Sequence, residues 1–325
     1  MARYLVTGAA GFIGERVSNF LLADGHEVTG VDDLNNYYDV RLKNWRLERL
    51  KKQPGFKFHQ QDIVDFQAVE KIFKESGGFD AVINLAARAG VRASVENPWI
   101  FVNTNTTGTL NLLECCHRYQ TGKFILASTS SIYGANAPLP TPEEADSSHP
   151  LQPYAASKKA AEVLCHSYHY LHGIDVTVFR YFTVYGPAGR PDMVMFRFAQ
   201  WIAEGKTVQL NGSGDQSRGF TYVDDIARGT ILGLKSLGYE IINLGGHEAI
   251  TINEMIAMLE EFIGKKASIE NFPFHKADMM ANLADVSKAR RLLGWEPQVS
   301  LTKGIRSLVD WYLLEREWAS QIETP

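Results

Sequence analysis

Cysteine is nearly absent from this sequence: three residues in 325, at positions 115, 116 and 165, too few for a disulfide framework. Cys115 and Cys116 are adjacent, which is not a metal-ligand spacing, and both fall in an apolar helical pattern. They read as packing residues, and no metal is expected. Long apolar runs are missing too, since none approaches the ~18 residues of a membrane span. Positive charge is not in excess: 33 Lys and Arg against 37 Asp and Glu give a net charge of -4. No global field therefore draws nucleic acid or an anionic membrane, and any phosphate must be held by local devices. The chain opens at once on Arg3-Tyr4-Leu5-Val6-Thr7 and a glycine turn. A signal peptide is thus not expected, and a cytoplasmic location is. Repeats and low-complexity tracts are absent as well.

What is present is an alternation. Short β-rich runs occur at 3–7, 27–32, 56–60, 80–87, 123–128 and 175–180. Helical patterns lie between them, near 12–24, 39–52, 65–76, 98–118 and 153–172. That rhythm predicts right-handed βαβ crossovers and an α/β, doubly wound, parallel Rossmann-type sheet. After about residue 183 it breaks, with glycine and proline at 186–191 and glycines again at 212–219. Further helices read near 223–236, 251–263, 286–293 and 300–318, and a strand at 240–246 is expected to return to the main sheet. The expected division is a cofactor-binding domain over 1–182 joined by 220–247, and a smaller C-terminal lobe over 183–219 and 248–325.

Gly8, Gly11 and Gly14 follow the first strand directly and open a helix. Glycines there permit a tight turn and close backbone approach to a pyrophosphate, which the helix N-terminus attracts. Asp32 lies 18 residues beyond Gly14, at the end of the second strand. Its carboxylate suits both ribose hydroxyls and repels a 2′-phosphate, which favours NAD over NADP; Asp33 is the alternative. Asp62 and Ile63 follow the third strand in the same way and could meet adenine with an acid edge and an apolar face.

The combination of TGAAGFIG (7–14), NLAA (84–87), YAASK (154–158) and RYFTVYGP (180–187) resembles the extended short-chain dehydrogenase/reductase family, the NAD-dependent epimerases and dehydratases. Within it the chain is similar to UDP-glucuronate 4-epimerases, above all in DDLNNYYD (32–39), LAARAGVRASVENP (85–98), RYFTVYGPAGRPDM (180–193) and RGFTYVDDIARG (218–229). The resemblance implies further NAD contacts at Phe12, Ile13, Asn35, Leu85, Ala86, Ala87 and Tyr181, and a supporting role for Asn105. It also implies a homodimer built from the helices near 98–118 and 153–172.

Tyr154 and Lys158 have i, i+4 spacing, so both side chains lie on one helix face. A tyrosine with a pKa of about 10 is a scarce base at neutral pH, and an adjacent ammonium is expected to lower it. Thr129, with Ser130 and Ser131 beside it, ends the fifth strand and could relay a proton towards Tyr154. On the substrate side the resemblance assigns Arg218 to a nucleotide diphosphate and Asp278 to the uridine ribose. The segment before Asp278 departs from the family at His275 and Ala277.

Thr183 and Arg190 match the pair that engages a sugar carboxylate, where many hexose epimerases carry asparagine for the threonine. Arg88 and Arg92 are candidates for the entrance. These parts imply UDP-glucuronate and UDP-galacturonate as substrate and product. Dehydratases and decarboxylases of the family carry acids around 130 and 131, where this chain has serines. A non-catalytic NAD sensor would lack Tyr154 or Lys158, and both are present.

Overall fold

The structure, a computed structural model, describes residues 1–246, 248–273 and 281–324. Strands β1 (Arg3–Thr7), β2 (Glu27–Asp32), β3 (Phe56–Gln60), β4 (Ala81–Asn84), β5 (Lys123–Thr129) and β6 (Asp175–Tyr181) alternate with helices. These are α1 (Phe12–Ala23), α2 (Val40–Lys51), α3 (Phe66–Ser76), α4 (Val91–Glu96), α5 (Pro98–Val102), α6 (Gly108–Arg118) and α7 (Pro153–His172). Beyond β6 follow β7 (Val184–Tyr185), α8 (Val194–Glu204), β8 (Thr207–Asn211), β9 (Ser217–Gly219), β10 (Thr221–Tyr222) and α9 (Val223–Leu232). The chain then forms β11 (Tyr239–Leu244), β12 (Ala249–Thr251), α10 (Ile252–Ile263), β13 (Ser268–Phe272) and β14 (Ala281–Asn282), and ends in α11 (Ser287–Leu293), α12 (Leu301–Leu314) and α13 (Arg316–Ala319).

The expected parallel sheet is the frame of the molecule, seven strands in the order β11-β6-β5-β4-β1-β2-β3. Its side chains alternate between two apolar layers, as the period of a strand requires. Along β5, Phe124 and Leu126 face Leu112, Leu113 and Cys165 of α6 and α7. Ile125 and Ala127 face the opposite layer with Val17 and Leu21 of α1 and Ile226 of α9. A third cluster, including Phe198, Ile202, Leu259 and Ile305, packs α8, α10 and α12 beyond the sheet. The order reverses between β1 and β4, which opens a crevice at their carboxyl ends.

Several elements differ from the expectations, among them the short strands β7 to β10 and β12 to β14, beyond residue 183, where only the 240–246 strand was expected. The helix near 98–118 is interrupted by a π-turn at Asn103–Thr107, where the Gly108 amide reaches back to the Asn103 carbonyl. The strand expected over 80–87 stops at Asn84, and α4 adds an unexpected helix beyond it. The helix near 300–318 divides into α12 and α13. The cysteines are packing residues, all three buried and free. Among the described residues no helix is long and apolar enough to cross a membrane, and no cluster could hold a metal ion.

Candidate active site

The glycine turn sits at the crevice. Gly8 has φ +66°, and a Cβ there would lie 2.8 Å from the Ala86 nitrogen, which follows β4. A Cβ at Gly14 would strike the Gly8 carbonyl oxygen. The turn is thus pressed between its own helix and the chain leaving β4, with no room for side chains. Helix α1 starts at Phe12 without a side-chain cap, so its first amides are available to an anion. Arg46 of α2, buried, ties this turn to the 186–191 segment by donating to the Ala10 carbonyl at 3.1 Å and the Ala188 carbonyl at 2.5 Å.

At the end of β2 the Asp32 carboxylate accepts from the Ala10 amide at 3.2 Å and the Leu34 amide at 2.9 Å. Burial raises its pKa, against the pull of Lys43, 3.6 Å away. Asn35 donates through its backbone and side-chain amides to Asp33, and its own oxygen accepts from Tyr37. Asp62 is exposed and caps the Val64 amide at 2.9 Å. Ile63 is in the core, against Gly108 of α6, so its side chain is largely a packing group. Tyr181 turns its hydroxyl to Thr230 at 2.7 Å. Ile13 and Leu85 border the core layer that contains α1.

A continuous hydrogen-bond path connects the glycine strand to the helix of Tyr154. Thr7 donates to Asn84 at 2.7 Å and accepts from the Ala86 amide at 3.2 Å. Asn84 donates to Thr109 at 3.0 Å, and Thr109 to the Asn105 carbonyl at 2.7 Å. Asn105, only 1% exposed, donates to Ser157 at 2.9 Å and to the Arg88 carbonyl at 3.0 Å. Ser157 donates to the Tyr154 carbonyl at 2.8 Å. The π-turn carries Asn105, so the break in the helix is what aims this amide inward; single π-turns cluster at functional sites.

Tyr154 is half-buried in the first turn of α7 and hydrogen-bonded to Thr129. Burial raises its pKa, while the Thr129 bond and the Arg190 charge pull it down. Lys158, the ammonium expected to lower it as well, stands one helical turn further along α7. Lys158 is 3% exposed and donates to the Ala127 carbonyl at 2.7 Å, on the strand beneath. Burial lowers its own pKa to about 8, against the opposing charge of Glu162.

Thr129 also bonds Ser131, at 3.2 Å, and Ser130 accepts from Asn282 at 3.3 Å. Thr183 and Arg190 line one small cavity with Phe12 and Met193. Arg190 is not free: it donates to both oxygens of Asp192, at 3.0 and 2.5 Å, and to the Ala89 carbonyl at 3.0 Å. Arg218, on β9 between Ile250 and Asn282, donates to the Ser217 carbonyl at 2.7 Å. Arg92 is exposed on α4, and Asp278 lies outside the described residues.

Sequence reasoning passed over Lys43, Ser157, Asp192 and the buried pair Glu162–Arg180. Two of these had a signal. Glu162 continues the Tyr154, Lys158 spacing by one more turn, and Lys43 falls in phase with the apolar Leu47 and Leu50 of α2.

The sequence model of the NAD dependent epimerase/dehydratase family matches residues 4–245. The chain belongs to this family. A UDP-glucuronate 4-epimerase of Thermodesulfobacterium geofontis is 58% identical over 312 residues, 96% of each chain. Among solved structures, a UDP-glucuronic acid 4-epimerase from Bacillus cereus in complex with UDP-glucuronic acid and NAD is 36% identical. Its TM-score is 0.89, over 96% of this chain and 99% of that one. A UDP-glucose 4-epimerase from Thermotoga maritima, solved with UDP-glucose, is 34% identical with the same TM-score, 0.89, over 97% and 99%. NAD is the cofactor of this epimerase/dehydratase chain, and the glycine cradle fits it.

Proposed function

We propose that the chain interconverts UDP-glucuronate and UDP-galacturonate by inverting carbon 4 of the sugar. The observation that carries this reading is the company Tyr154 keeps: the Arg190 cation acts on it, and only the hydroxyls of Thr129, Ser130 and Ser131 end the strand beside it. A sugar carboxylate needs such a cation or several donors when it leaves water. The identity of 58% to a UDP-glucuronate 4-epimerase supports the same assignment.

In this reading Tyr154, bonded to Thr129, takes the proton of the sugar 4-hydroxyl as the carbon 4 hydrogen departs with its electron pair. Bound NAD supplies the acceptor and then the donor of that hydride. The planar ketone turns over, Tyr154 returns the proton, and the new bond forms on the opposite face. Asn105 and Ser157 fix the start of α7, so Tyr154 stays on line. Arg218 and Asp278 are assigned to the nucleotide, in the smaller C-terminal lobe.

Oxidation at carbon 4 places a ketone β to the carboxylate, so the enzyme must prevent loss of carbon dioxide. Arg190 and the hydroxyls stabilise the carboxylate as an anion, and no carboxylic acid stands at 130 or 131 to protonate an enolate. Incubation with UDP-glucuronate labelled with carbon-13 at carbon 6 follows both fates. UDP-galacturonate as the main product is expected, and labelled bicarbonate as the main product would make the chain a decarboxylase. The Asp192 fork on Arg190 favours a second reading, since a neutralised Arg190 suits an uncharged UDP-hexose. UDP-glucose in a parallel reaction decides between them.

A homodimer and a cytoplasmic location belong to the same proposal. The dimer is supported by exposed apolar residues on helices that pack together, Val95 of α4, Trp99 and Val102 of α5, and Val163 and Tyr170 of α7.

A further inference from the structure

Two cations near the end of β2, the buried Lys43 and the partly buried Arg88, lack full partners. Lys43 is 5% exposed, yet among the described residues its ammonium donates no hydrogen bond. It stands 3.6 Å from Asp32 Oδ1 and 3.8 Å from Asp33 Oδ1. Arg88, from the segment after β4, has a buried Nε with no hydrogen-bond partner and an Nη2 3.5 Å from Asp33 Oδ2. Both cations therefore reach the Asp33 carboxylate, Lys43 shared with Asp32, at distances too long for good hydrogen bonds.

The two acids differ in how far they are committed. Asp32 is buried and spends its oxygens on the Ala10 and Leu34 amides. Asp33 is partly exposed, with a side chain 27% accessible, and is the acid that both Lys43 and Arg88 approach. A ribose 2′-phosphate is recognised by cations of this kind, because a guanidinium and an ammonium together match its charge and its acceptor oxygens. We propose that Asp33 keeps this site selective for NAD over NADP by occupying, with its own carboxylate, two cations that would otherwise receive a 2′-phosphate. Asp33 is an internal stand-in for that phosphate. Its removal uncovers a binding site as well as lifting a repulsion.

The test uses the full chain, loaded with NAD and equilibrated with graded mixtures of NAD and NADP. Bound nucleotide is then released from the washed protein and quantified by chromatography. Asp33→Asn keeps the oxygen that accepts from the Asn35 amide, and Asp33→Ser serves if that variant unfolds. In either, the preference for NAD should fall by about tenfold or more, as expected when charge-assisted bonds to phosphate become available. Adding Lys43→Met and Arg88→Ala should restore most of the wild-type preference. An unchanged preference in the Asp33 variants would overturn the proposal. So would an equal fall with and without the two cations, which would reduce Asp33 to simple repulsion. A fall seen in Asp32→Asn and not in Asp33→Asn would likewise overturn it and return selectivity to Asp32.

Discussion

Arg180 grips Glu162 by both carboxylate oxygens, at 3.0 and 2.9 Å, inside the molecule and one helical turn beyond Lys158. Ser128 adds a bond to the same carboxylate at 2.5 Å, next in sequence to the Ala127 carbonyl that receives Lys158. The strand under the active site therefore holds the helix above it at two successive residues. Glu162 is also the group that sustains the Lys158 charge against burial.

Glu162→Gln should lower the pKa of Lys158 below its present value of about 8. The loss of an opposite charge is worth roughly one unit, the low end of its usual effect. Activity should then fall at a lower pH on the alkaline side, since the ammonium is lost sooner. A kcat/KM profile between pH 6 and 10 checks this, and an unmoved alkaline limb would show that Glu162 only braces the fold. The sign for stability runs the other way for Lys158 itself. Its folded value of about 8 lies below the ordinary ~10.4, so the unfolded chain binds the extra proton between those limits. Its contribution to stability is present above ~10.4 and is lost as pH falls through about 8. Breaking the Glu162–Arg180 pair should also cost ~3–5 kcal/mol, read from denaturant unfolding, because Arg180 is left buried and uncompensated.

Tyr154→Phe removes the phenol and leaves the glycine cradle untouched. Turnover should drop by ~10²–10⁴, the usual worth of one acid-base group, while NAD still co-purifies with the chain. A variant retaining a tenth of wild-type kcat would remove Tyr154 from the role of base.

Arg190 has to choose between Asp192 and a substrate carboxylate. Arg190→Ala should reduce kcat/KM for UDP-glucuronate by ~1.5–3 kcal/mol more than for UDP-glucose, the value of a charge-assisted bond to the carboxylate. Asp192→Asn should move the ratio the opposite way, towards the acidic sugar. Equal losses on both substrates for Arg190→Ala would make it a structural cation that ties 190–192 to Ala89.

The exposed apolar residues of α5 and α7 should form the seam of the dimer. Trp99 is 77% exposed and Val163 56%, large apolar areas for a free surface. Trp99→Arg combined with Val163→Glu should give a monomer by light scattering, with secondary structure intact by circular dichroism. A wild-type chain already monomeric at micromolar concentration would dismiss this seam.

The sheet was legible because its signals are local. Residues such as Phe124, Ile125, Leu126 and Ala127 form an apolar run that only a strand covered on both faces accommodates, and the glycine turn announces the crevice. The partners of Lys158 were not legible, because the Ala127 carbonyl comes within reach only through the packing of α7 on β5. The π-turn at Asn103–Thr107 escaped for a similar reason. Its sequence continues a helical pattern, and what accompanies the break is a tertiary clamp of Asn105 on Arg88 and Ser157. Lys43 and Arg46 were readable in principle, since a cation in phase with buried leucines must find a partner inside.

The pairing of β11 with β6 runs the length of the strand, from Val176 against Tyr239 to Tyr181 against Leu244. Helix α9, just before it, lies on α1 and is pinned there by the Arg16–Asp224 bond at 2.6 Å. A gene fragment stopped at residue 182 would therefore bare a full strand edge and strip the outer face of α1 in one cut. Bare edges recruit neighbouring chains, so such a fragment should precipitate in the expression host. Anyone wishing to produce the cofactor-binding half by itself has to carry the reading frame past Leu244, or splice the 220–244 segment back onto the shortened chain.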